Sequence, residues 1–170
     1  NPVHREAIWN STLLGITVTA FTTIVTLPVA YVMVRREFPG RAIFNGLLLV
    51  PMVMPPFVGA VGMQQLLARY GSINLLCIKL GFMSSQNPYD WLGTGFWAVV
   101  VLEVLHLYPI MYLNVSAALA NVDPSLEEAA QNMGASGSRL FRTITFPLMM
   151  PGYFAGAIIV FIWAFTDLGT

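Results

Sequence analysis

EEAAQNMGASGSRLFRTITFPLMMPG, Glu127 to Gly152, is the longest stretch of this chain that reads as a water-facing helix, a turn and a second helix. It lies between two segments long enough to cross a membrane, so explaining one polar hairpin in so apolar a chain decides the architecture. Asp123-Pro124 suits a helix start: Asp accepts a bond from a free amide, and Pro fits the first turn, where its missing donor is harmless. Ser125 with Glu128 offers an alternative start as a capping box. Either start puts Glu127 and Glu128 in the first turn, where the helix dipole favours negative charge. Leu126, Ala129, Ala130 and Met133 recur at i, i+3, i+4 and i+7 and form one small apolar stripe. Gly134 can take the left-handed conformation that ends such a helix, with Ala135–Ser138 as the turn. From about Ser138 a second short helix sets Leu140, Phe141 and Ile144 on one side and Arg139, Arg142 and Thr143 around the other. Pro147 and Pro151 are expected to close it before the next span. A helix of about three turns is marginal alone, so something must pack against this one. It is either a loop resting on neighbouring span ends or a docking element for a cytoplasmic partner.

The rest of the chain is membrane-like. Of 170 residues, 56% are hydrophobic and 9% charged, against roughly 25% charged in soluble domains. A spanning helix needs about 20 apolar residues, and four segments qualify: Ser11–Val34, Ala42–Ala68, Thr94–Leu119, and Pro151–Phe165 and beyond. No strand-like alternation competes, and lipid permits helices because unpaired backbone groups there are costly. The first residue is not Met and the last follows an apolar run, so the chain is expected to be part of a longer protein. No secretory signal peptide is legible at its start. Eight Lys plus Arg balance eight acidic residues, leaving no basic face for nucleic acid. Cys77, the single cysteine, reads as a packing residue and cannot form an internal disulfide.

Basic residues beside the span ends set the orientation. Arg35, Arg36 and Arg41 follow the first span, while Arg139 and Arg142 lie between the third and fourth. One side must hold both groups, and it is read as the cytoplasm. The opposite side carries the segment from Arg69 to Gly93, with Arg69 and Lys79 spread over more residues, and Tyr70, Tyr89 and Trp91 suit an interfacial belt there.

Prolines interrupt the spans at Pro28, Pro51, Pro55, Pro56 and Pro109. Pro28 and Pro109 read as kinks. The cluster in PMVMPPFVGAVG is a candidate broken helix near mid-membrane, able to line a path or act as a hinge. Glu103 and His106 share one face of the third span and Asp167 lies in the fourth, where a charge costs roughly 2.5–3.5 kcal/mol. The first two either satisfy each other or face the translocation path and meet a cationic substrate. They are too few ligands for zinc, so no metal site is expected. GYFAG, Gly152 to Gly156, has the spacing of a close helix contact.

At the hairpin the sequence resembles the binding-protein-dependent ABC importer permeases. That family's cytoplasmic signature is Glu-Ala-Ala, three residues, Gly, nine residues, then Ile-x-Leu-Pro. Glu128, Ala129, Ala130, Gly134, Ile144 and Pro147 stand in that register, with Phe146 in place of Leu. The stretch NSTLLGITVTAFTTIVTLPVAYVMVRREFPGR also looks like the family's first core span and following loop. The resemblance implies an all-α, polytopic transmembrane bundle of the ABC importer permease type. Residues 1–170 would form one partial permease domain of about four spans, with a cytoplasmic coupling loop at 120–150. It implies no catalytic residue and no cofactor in this chain, with ATP bound by a cytoplasmic ABC ATPase that receives the coupling residues named above. The absence of a Gly-rich phosphate-binding motif agrees. It further implies a periplasmic or lipid-anchored solute-binding protein, a second permease half or subunit, surrounding membrane lipid, and residence in the bacterial inner membrane. Glu103, His106, Pro55 and Pro56 become candidates for the path. The stretch from Val104 to Ser136 looks most like ferric-iron permeases, with phosphonate, thiamine, polyamine, sulfate and molybdate systems sharing much of the pattern. A secondary transporter could show broken spans and buried carboxylates, but would not need a docking hairpin. A membrane enzyme would need a constellation that Glu103 and His106 alone do not make.

Overall fold

A computed structural model describes residues 2–53, 56–84, 88–91 and 95–166. Every regular element among them is helical: α1 (Pro2–Arg35), α2 (Arg41–Val53), α3 (Pro56–Leu67), α4 (Ser72–Lys79), α5 (Phe96–Ala120), α6 (Pro124–Asn132), α7 (Gly137–Leu140), a π-helical segment Phe141–Thr145, and α8 (Phe146–Thr166). Among the described residues, three stretches are long and apolar enough to cross a membrane: His4–Arg35, Phe96–Ala120 and Gly137–Thr166.

These correspond to the first, third and fourth expected spans. Over the second, Ala42–Ala68, the described residues form α2, with 13 residues, and α3, with 12, on either side of residues 54–55, which lie outside them. Pro51 sits inside α2 and Pro56 is the first described residue of α3. Pro55 lies outside the described residues, as does Asp167. Pro28 and Pro109 are carried inside continuous helices, as tolerated kinks.

One correction concerns the hairpin's return arm. Pro147 and Pro151 do not close a separate helix, because the chain is helical without a break from Gly137 to Thr166. The π-helical turn immediately before Pro147 shifts the bonding pattern where proline offers no donor, an adjustment that lets prolines stay inside spanning helices.

The core is the line where α1, α5 and α8 meet. Leu14 and Val18 from α1, Leu107, Met111 and Val115 from α5, and Met149 and Val160 from α8 are all essentially inaccessible. Small residues let the backbones approach. A Cβ on Gly152 would lie 2.5 Å from Ala118 Cβ, and one on Gly156 would lie 3.0 Å from Asn114 Cβ and 3.1 Å from Met111 Sδ. The GYFAG spacing is therefore a true α5–α8 contact. Outward, Trp9, Ile24, Ile158 and Trp163 are exposed, so the bundle is apolar outside as well as inside, which suits lipid. A polar tie joins α5 to α2: the hydroxyl of buried Tyr112 donates to Asn45 Oδ1 at 2.6 Å.

The two ends differ in construction. Arg35 at the foot of α1 touches Glu127 of α6, so both arginine groups belong to one end, as their distribution required. The 25-residue α5 carries its start about 37 Å from that end. There, Asn74 of α4 is fully buried. Its Nδ2 donates to the carbonyls of Arg69 (3.0 Å) and Tyr89 (2.6 Å), while Trp91 Nε1 donates to its Oδ1 at 2.8 Å. The rings of Tyr89 and Trp91 also meet edge to face. This amide thus ties α4 to the stretch from Tyr89 to Trp91. Asn74→Ala would strand three partners at about 1–3 kcal/mol for each one kept from water. Limited proteolysis is expected to cut between residues 69 and 91 faster in this variant than in the parent, with the spans intact.

Candidate functional site

The hairpin is built from its caps upward. Asp123 is the N-cap of α6, and its carboxylate accepts from the Ser125 backbone N–H at 2.9 Å, with Pro124 opening the helix. The Asp-Pro start is therefore the one used, rather than the Ser125–Glu128 box. That backbone bond holds the Asp123 carboxyl below its ordinary value. The cap is complete above the ordinary carboxylate range and is lost only as pH falls through the lowered value.

At the other end, Ala135 N–H donates to the Ala130 carbonyl and Gly134 N–H to the Gln131 carbonyl, both at 2.9 Å. That pair of bonds is the Schellman closure, which needs a left-handed residue between helix and turn. Gly134 supplies it with φ of +90°. Apart from its chain neighbours, nothing among the described residues lies within 4 Å of where its Cβ would be, so the tip of the hairpin is bare.

The expected apolar stripe divides in two. Ala130 turns inward beside Glu127, and both are buried, while Leu126 and Met133 are exposed, Met133 at 83%. Ala129 and Glu128 are exposed with them. The inward face is set by a charge rather than by the stripe. Glu127 Oε1 accepts from Thr145 Oγ1 at 2.7 Å and from Arg35 Nη2 at 3.1 Å, and Arg35 Nη2 also reaches the Val122 carbonyl at 3.4 Å. One carboxylate thus joins α6, the foot of α1 and the π-helical segment. Ile144 is half-buried within that segment, and Pro147 is exposed in the first turn of α8.

Of the expected coupling residues, Glu128, Ala129 and Gly134 share the exposed side, whereas Ala130, Ile144 and Pro147 belong to the hairpin's base and return arm. Sequence reasoning placed Glu127 as a dipole partner and Arg35 as a topology marker, and did not connect them or Thr145. The only available signal was that Glu127 falls off the apolar stripe. Glu103 and His106 are both half-buried on α5, about 21–26 Å along the helix from its hairpin end. They form a region separate from the hairpin. Among the described residues, no group of three or more His, Cys, Asp and Glu could hold a metal ion.

Residues 23–169 match the sequence profile of the family described as binding-protein-dependent transport system inner membrane component. The chain is similar to the molybdenum transport system permease protein ModB of Escherichia coli K12, 34% identical over 169 residues, which cover 95% of this chain and 69% of that one. It is similar to a putative ferric transport system permease protein, FbpB 1, of Haemophilus influenzae, 32% identical over 166 residues, covering 97% of this chain and 25% of that one. It is also similar to the spermidine/putrescine transport system permease protein PotB of Haemophilus influenzae, 29% identical over 160 residues, covering 94% and 55%. The chain thus spans a quarter to about two thirds of the relatives it matches.

Proposed function

The chain belongs to the family of binding-protein-dependent transport system inner membrane components, the permeases of ABC importers, and from that premise we propose how its parts divide the task. It is a multi-pass protein of the inner membrane. The α6 hairpin docks into a cytoplasmic ATPase, which binds ATP on its own polypeptide, and carries that partner's closure into the spans. A solute-binding protein delivers substrate at the opposite end, held in order by Asn74, and a second permease half or subunit completes the path. Glu103, His106 and the proline-rich stretch around Pro56 line it.

One observation carries this reading. Leu126, Ala129 and Met133 stand on the exposed side of α6, beside a glycine tip with open space around it. A short polar helix that turns its apolar side chains away from its own bundle offers them to a partner. The substrate we propose is a small inorganic solute. Molybdate is supported by the molybdenum relative, of which the chain covers the larger share, and ferric iron by the ferric relative, in keeping with the sequence resemblance.

Purification of the full-length permease tests the docking. An ABC ATPase is expected to copurify with it, and to be lost when Glu128 and Gly134 are both replaced. Retention of the ATPase by that double variant would remove the hairpin from the interface. Calorimetry on the binding protein encoded alongside decides the solute: molybdate binding with no response to ferric iron is expected, and the reverse would restore the iron reading.

A further inference from the structure

Within the coupling reading above, we infer that Glu127, Arg35 and Thr145 form a joint that passes movement of α6 simultaneously to α1 and α8. These are positioning residues, since all three face into the chain and away from the proposed docking surface. The inference rests on the partition of α6. Its exposed side carries the candidate docking residues, but its sole charged inward group is Glu127, with a side chain 12% exposed, bonded to an Arg35 side chain 16% exposed. A single oxygen, Glu127 Oε1, accepts from both Thr145 and Arg35. A displacement of α6 therefore pulls on the foot of one span and the base of another through the same atom.

Two further features place this cluster at a point able to move. Thr145 ends a π-helical turn, an irregularity frequent at functional positions in helices. Arg35 Nε is buried without a hydrogen-bond partner among the described residues, so the guanidinium is only partly engaged and has a donor in reserve for another arrangement. Alongside, Tyr31 of α1 meets Phe141 edge to face, and Phe141, Phe146 and Tyr153 continue in ring contact up α8. Tyr153 Oη then lies 3.4 Å from Thr23 Oγ1 back on α1. The joint sits at the foot of a row of contacts that keeps α1 and α8 together, which is how a local pull becomes motion of a pair of spans.

The test uses the full-length permease with its ATPase and binding protein in proteoliposomes, comparing Glu127→Gln, Thr145→Val and Arg35→Lys. The ATPase is expected to copurify at the parental level while solute imported per ATP hydrolysed falls on the order of tenfold in Glu127→Gln, and less in Thr145→Val. That ratio is insensitive to how much protein is folded, so simple destabilisation would leave it unchanged. A parental ratio in Thr145→Val and in every charge variant that assembles would overturn the inference, as would loss of ATPase from a stably folded Glu127→Gln permease. If the parent itself retains no ATPase, the coupling reading fails first, and the two failures are distinct.

Discussion

A transporter carrying Gly134→Val is expected to insert at its normal level and to lose ATP-driven uptake by on the order of tenfold or more. Two physical effects add. At φ of +90° an L-residue carries roughly 1–2 kcal/mol of backbone strain, and a β-branched residue suits that region least of all. The Schellman closure, which depends on Gly134 and Ala135 amides meeting Gln131 and Ala130, must then reorganise and redirect the return arm. The second effect is outside the chain. Beyond its own chain neighbours, nothing among the described residues lies within 4 Å of the missing Cβ, so the new isopropyl group projects where the ATPase would seat. Gly134→Asn separates the two, because Asn tolerates left-handed geometry yet still adds bulk. Uptake near the parental level in Asn with loss in Val assigns the effect to the turn; loss in both assigns it to docking. Normal uptake in Val would remove Gly134 from the coupling element altogether.

Gly152→Leu is expected to weaken the bundle itself. A Cβ there falls 2.5 Å from Ala118 Cβ and 3.3 Å from the Asn114 carbonyl. Neither group is the far end of a flexible side chain, so α8 must draw back from α5. Overpacking of this kind costs about 1–3 kcal/mol, and here it acts on the contact that closes the three-helix core. Thermal unfolding in detergent should show a lowered Tm and reduced yield, with the same sign but smaller effect for Gly152→Ala. The pair Gly152→Ala with Ala118→Gly moves the methyl group to the other helix and should recover most of the loss, a coupling that independent sites would not show. Additive effects would mean that the α5–α8 distance is not what Gly152 controls.

Much of this architecture was legible because lipid imposes a simple grammar. Runs of apolar residues gave the spans at α1, α5 and α8, and the arginine groups correctly shared an end, because charge near a span terminus is costly to move. The hairpin's caps were legible too, since Asp123, Pro124 and Gly134 act through their immediate neighbours. What escaped were features that depend on cancellation or distance. Pro147 and Pro151 look like terminators until a π turn beside them changes the bonding pattern. Glu127 reads as a dipole partner until α1 brings Arg35, 92 positions away in sequence, to 3.1 Å. The i, i+3, i+4, i+7 stripe was legible as a pattern but not in its orientation: Leu126, Ala129 and Met133 are exposed, and Ala130 is buried beside the Glu127–Arg35 pair. Asn74, one asparagine in the short helix α4, gave no local sign of its three bonds.

The unbroken helical stretch from Gly137 to Thr166 has a mechanical corollary. The 21 residues of α8 make a rod about 32 Å long, anchored beside its foot by Thr145 and packed through Gly152 and Gly156 together with Met149 and Val160. By simple trigonometry on that length, a lean of about 5° at the foot sweeps the opposite tip through about 3 Å. That is about the width of a water molecule, so a small adjustment at the hairpin would suffice to open or shut an entrance on the far face.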